Sequence, residues 1–99
     1  MIIIQKQLEG DKLTVRMAGR LDTMSAPKLQ EELNGQLDHI KELEFDLQEV
    51  EYISSSGLRV LLSCQKIMNR RGKMIVRNVQ EDVMEIFEVT GFSELFTIV

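Results

Sequence analysis

Between Glu42 and Arg71 the hydrophobic period of the chain changes from two to about 3.6 residues, and the change falls on Ser54-Ser55-Ser56-Gly57. Before it, Leu43, Phe45 and Leu47 alternate with Glu42, Glu44 and Asp46, as a half-buried strand requires. After it, Val60, Leu61, Cys64, Ile67 and Met68 cover one broad helical face, widened by Leu58 and Leu62. Arg59, Ser63, Lys66 and Arg70 line the opposite stripe, so the segment reads as a helix packed on a sheet. A strand feeding such a helix calls for a crossover, and crossovers join parallel strands with right-handed sense. Arg71-Gly72 suits the helix end, with basic residues against the dipole and Gly72 available for a left-handed cap.

The flanking segments extend the same alternation. Ile2, Ile4 and Leu8, then Gly10-Asp11, then Leu13, Val15 and Met17 read as a β-hairpin that Gly19 ends. Pro27 suits a first helical turn with Ser25 as its N-cap, and Leu29, Leu33 and Leu37 fall on one helical face. Asn34-Gly35 weakens the last turn of that helix. Lys73 to Arg77 forms a fourth strand, and Asn78 with Glu81 resembles a capping box. Val83, Ile86, Phe87 and Thr90 make the face of a third helix that Gly91 ends, and Leu95 to Ile98 closes the sheet. The predicted order is β-β-α-β-α-β-α-β, an α/β fold with a mixed, mainly parallel sheet of about five strands. With no low-complexity linker or repeat, residues 1–99 read as one domain.

Composition narrows the chemistry. Twelve Lys plus Arg against sixteen Asp plus Glu give a net charge of −4, which argues against a nucleic-acid surface. One cysteine, Cys64, and one histidine, His39, leave no multi-ligand metal site and no cofactor motif. The run from Met1 is too short for a secretory leader, and no stretch approaches the roughly 20 apolar residues that span a bilayer. A reduced, cytoplasmic domain without membrane insertion is the expectation.

The serine cluster is the place where chemistry gathers. It lies at the carboxyl edge of the third strand, where ligands meet open α/β sheets. Two readings are open: the hydroxyls cap orphan N–H groups of the helix, or one of them accepts a phosphoryl group that those N–H groups would favour. The loop Gly19-Arg20-Leu21-Asp22 shares that edge if the second and third strands are parallel. Asp22 there terminates a turn or caps a helix, or it orients a hydroxyl or repels a phosphate.

Other chemistries fit poorly. Ser55, His39 and Asp22 supply triad residue types, but no G-x-S-x-G elbow is present and His39 falls in the turn at the opposite end of the sheet. Cys64 sits on the apolar face as inert core. The stripe Arg59, Lys66 and Arg70 is a solvated face or a contact for an acidic protein partner.

Taken together, Gly19-Arg20-Leu21-Asp22, Ala26-Pro27-x-Leu29, Leu43-x-Phe45-Asp46-Leu47 and Tyr52-Ile53-Ser54-Ser55-Ser56-Gly57-Leu58-Arg59-Val60-Leu61-Leu62 resemble the STAS domain of bacterial anti-sigma factor antagonists. The resemblance covers essentially the whole chain. It implies a non-enzymatic partner switch, binding an anti-sigma factor that is also a serine kinase. Phosphorylation of a loop serine ends binding, and a serine phosphatase resets it. Carried over by position, the acceptor falls on Ser55, with Ser54 and Ser56 as competitors, and the family aspartate falls on Asp22. Asp22, Ser54, Ser56, Gly57, Leu58 and Arg59 are then the partner-binding positions, and Gly57 lets a partner's backbone approach closely. Ser54 stands where many members carry Asp. STAS domains also serve as non-switching adaptors, as accessory subunits of lipid-transport ATPases or as stress-signalling scaffolds.

Overall fold

The computed structural model describes residues 2–99; Met1, the first residue of the amino-terminal run, lies outside them. The elements are β1 (Ile2–Glu9), β2 (Lys12–Leu21), α1 (Ala26–Leu33), β3 (Glu42–Ile53), α2 (Ser55–Arg71), β4 (Lys73–Arg77), α3 (Glu81–Thr90) and β5 (Thr97–Ile98). Short 3-10 turns at Leu37–His39 and Phe92–Glu94 complete the chain. The sheet order is β1-β2-β3-β4-β5, with only the β1–β2 hairpin antiparallel. Because that order never reverses, right-handed crossovers place all three helices on one face of the sheet.

Rows across the strands build the core. Leu13, Leu43 and Met74 stand in one row and Val15, Phe45 and Val76 in the next, all buried. Against them pack Leu29 and Leu33 of α1, Leu61 and Met68 of α2, and Val83 and Phe87 of α3. Each such side chain contributes about 1.5–3 kcal/mol by leaving water. The other face is a charge lattice on the central strand. Glu44 lies 3.3 Å from both Lys12 and Arg77, and Asp46 lies 3.3 Å from Arg16.

Several boundaries differ from the sequence expectation, each for a tertiary reason. β2 does not end at Gly19 but runs on to Leu21, because register shifts against β3 at Arg16/Ala18 and Gly19/Arg20 absorb the irregularity, with Gly19 at φ 109°. α1 stops at Leu33, and Leu37 reaches the core from the 3-10 turn after Gly35, whose φ is 78°. Asn78 caps no helix: it takes φ 60° and donates to Asp46 Oδ1 at 3.2 Å, leaving Gln80 at the N-cap of α3. Gly72 is extended, not left-handed, at φ 176°. It is needed because a Cβ there would overlap the Lys41 carbonyl oxygen. The last strand is only Thr97–Ile98, since residues 92–94 coil to bring Phe92 and Phe96 together beside Phe87.

Candidate functional site

Parallel pairing of β2 with β3 carries both strands to the same carboxyl edge, ending at the partners Leu21 and Ile53. The junction there is a backbone bond, Ser54 N–H donating to the Leu21 carbonyl at 2.9 Å. That bond fixes the serine loop against the β2–α1 turn, as the sequence reading required. His39 lies far from it, beside Gly10, Leu13 and Ile40 at the opposite end of the sheet.

The three serines divide their work. Ser54 has extended backbone at the N-cap of α2, and its Oγ accepts the Gly57 N–H at 3.3 Å. Ser56 is half-buried, with Oγ 3.5 Å from Thr23 Oγ1 across the junction. Ser55, the first residue of α2, is exposed and takes part in neither bond. It stands where a helix presents unpaired N–H groups and the positive end of its dipole.

Gly57 and Leu58 do not lie on the surface. Both are buried, Leu58 at 2% exposure. A Cβ on Gly57 would sit 2.7 Å from the Leu21 carbonyl oxygen and 2.8 Å from Leu21 Cγ. The close approach that this glycine permits is made, within this chain, by Leu21. Arg59 is exposed and borders a shallow groove between α1 and α2 with Thr23, Pro27, Gln30 and Ser56.

Asp22 builds the turn that leads into α1. Its Oδ1 accepts N–H bonds from Met24 at 3.0 Å and Ser25 at 3.1 Å, while its carbonyl accepts the Ala26 N–H at 2.8 Å. The Ser25 N–H, first of all, holds the carboxyl below its ordinary value; partial desolvation opposes this, and the Ser25 hydroxyl, the Met24 N–H and the Arg20 charge add to it. Ser25 occupies the N-cap of α1 but makes no side-chain cap bond. Its hydroxyl instead donates to the Arg20 carbonyl at 2.7 Å and accepts the Asp22 N–H at 2.9 Å. Of the two readings of Asp22, the turn-forming one is what the geometry displays.

Two residues at this edge escaped the sequence reading: Thr23 meets Ser56, and Met24 is 88% exposed at the tip of the turn. Arg20, read only as part of its loop, lies with its guanidinium carbon 4.4 Å from the Tyr52 ring centroid. An apolar residue between a turn aspartate and a helix cap was the available signal for Met24. Cys64 is buried, and burial pushes its thiol up to about 12, so it holds no reactive thiolate at neutral pH. Among the described residues no helix is long and apolar enough to cross a membrane, and no cluster of His, Cys, Asp or Glu could hold a metal ion.

This architecture has known counterparts. Residues 3–99 match the STAS domain family. The chain is 31% identical over 97 residues to an anti-sigma-B factor antagonist of Listeria monocytogenes, an alignment covering 94% of this chain and 83% of the relative. An anti-sigma factor antagonist from Mycobacterium paratuberculosis has the same fold, with a TM-score of 0.88 at 21% identity over 99% of this chain and 85% of that one. The Bacillus cell fate determinant SpoIIAA, solved in its phosphorylated form, shares it at a TM-score of 0.76 and 14% identity, covering 98% and 91%. The chain belongs to the STAS domain family, and relatives that align along nearly its whole length are anti-sigma-B factor antagonists.

Proposed function

We propose that this protein is an anti-sigma factor antagonist switched by phosphorylation of Ser55. Unphosphorylated, it binds an anti-sigma factor that is also a serine kinase, in the cytoplasm, and so releases a sigma factor. The kinase transfers phosphate to Ser55, binding ends, and a serine phosphatase restores the active form. The chain is a substrate in this cycle, not a catalyst. The observation that carries the reading is the division among the serines: Ser54 is committed to the cap and Ser56 faces Thr23, while Ser55 is exposed. The rim of exposed Thr23 and Arg59 with half-buried Ser56, together with Met24, supplies the rest of the contact surface.

The physical logic is an asymmetry. A phosphate adds about −1.5 to −2 charges. At the start of a helix the fold gains about 0.3–1 kcal/mol from such an anion. Desolvated in an interface without a partner, the same charge costs several kcal/mol, enough to lose binding by orders of magnitude. The modification spares the protein and breaks the complex.

The test is incubation with the cognate anti-sigma kinase and ATP, followed by mapping of the phosphate by mass spectrometry. Phosphate on Ser55, permanent binding by Ser55→Ala and weak binding by a well-folded Ser55→Asp are expected. Phosphate on Ser54 or Ser56 would move the switch by one residue. No phosphate on any of the three, with partner binding retained, would make the chain a non-switching adaptor.

A further inference from the structure

Ser55 opens α2 and Arg59 follows four residues later, both exposed. Residues four apart on a helix are surface neighbours, with Cβ atoms about 5–6 Å apart. Arg59 stands beside Ser56 on the rim of the α1–α2 groove. Of the other charged groups at this edge, Arg20 and Asp22 are already engaged, while Lys28, like Arg59, forms no ion pair with the described residues. Arg20 lies 3.9 Å from Asp22 Oδ2 and stacks on Tyr52. Asp22 is tied into the turn by the N–H groups of Met24 and Ser25. Lys28 borders that turn from the side of Ile2 and Met24. Arg59 takes part in none of the ion pairs formed by the described residues.

We propose that Arg59 clasps a phosphate carried on Ser55. The inference rests on Ser55 as the acceptor and adds how the modified state is held. An anion placed one turn before a cation is the favourable order along a helix. The planar guanidinium can meet two phosphate oxygens at once, which an ammonium cannot. One modification thereby makes two changes at the same rim. It installs an anion, and it withdraws from any acidic partner the cation that would have met it.

The test uses the full chain with phosphoserine installed at position 55 during translation, so no kinase is needed. Phosphorus NMR then follows the second ionisation of the phosphate in the native chain, in Arg59→Gln and in Arg70→Gln. Arg70 is an equal charge on the same helix, roughly 22 Å along the axis from Ser55. In low salt the native phosphate is expected to ionise about 0.3 pH unit lower than in Arg59→Gln. That gap should shrink at high ionic strength, and Arg70→Gln should titrate with the native chain. If the kinase never modifies Ser55, the switch falls while this measurement still reads the pair. Coincident curves for the native chain and Arg59→Gln, or an equal shift in Arg70→Gln, would overturn the clasp.

Discussion

The two ends of the sheet are closed by the same device and used differently. At the carboxyl edge Gly57 of α2 presses on the Leu21 carbonyl, and at the amino edge Gly72 presses on the Lys41 carbonyl. Each contact sits beside a backbone bond, Ser54 N–H to Leu21 and Lys73 N–H to Lys41, both 2.9 Å. The amino edge is joined by further structural bonds: Asp11 accepts the N–H of Lys41, and Arg71 reaches the Asp38 carbonyl. The carboxyl edge adds hydroxyls, an engaged carboxylate, an exposed arginine and an exposed methionine. The difference teaches that a glycine at a strand–helix junction reports close packing, and that function is announced by what surrounds it.

Breaking the amino edge should have the largest effect. Gly72→Val forces two backbones apart and is expected to cost about 3 kcal/mol or more, read by urea denaturation. The fraction that remains folded should still accept phosphate on Ser55 at the native rate; a lost rate would mean that the two ends are coupled. Gly57→Val comes next, at about 1–3 kcal/mol, because a Cβ there approaches Leu21 less closely than one on Gly72 approaches Lys41. This variant should also lose partner binding, since the Leu21 junction positions the serines. Native stability in Gly57→Val would show that the space belongs to a partner after all.

Smaller changes sharpen the contrast within the carboxyl edge. Ser54→Ala removes the α2 cap and should cost about 1 kcal/mol while leaving Ser55 modifiable. Unchanged stability would release Ser54 to compete as the acceptor. Asp22→Ala should lower the melting temperature by the smallest margin of the four, and only where Asp22 is ionised. Its carboxyl is held below the ordinary value of 3.8, so its contribution is complete above that value. It is lost as the pH falls through the lowered folded value. Melting curves of the variant and the native chain should therefore converge in strong acid, and a gap independent of pH would show that the charge contributes nothing.

What was legible in the sequence was whatever depends on neighbours in the chain. Lys73–Arg77, with its apolar run between two cations, is the strand the pattern predicted, and the strand-to-helix junction at Ser54–Gly57 needed only a change of period. Errors arose where a distant residue decides. Asn78 has the spacing of a capping box, but Asp46, on the neighbouring strand β3 across the α2 crossover, claims its amide. Gly72 has the composition of a left-handed cap, but Lys41 dictates an extended backbone. At the site, the serines and Asp22 were legible as residue types at a shared edge. Their division of labour was not, because it depends on side-chain bonds such as Ser56 to Thr23 that link segments 33 residues apart.

The Ser54–Leu21 bond has a kinetic meaning as well. A loop tied at its root to a neighbouring strand is ordered before anything docks, so association spends little free energy on immobilising it. Encounter then resembles the meeting of two rigid bodies, limited by diffusion and orientation, with no folding step interposed. A regulator built this way responds as fast as its partners collide, and the lifetime of the complex is left to the contacts on the rim.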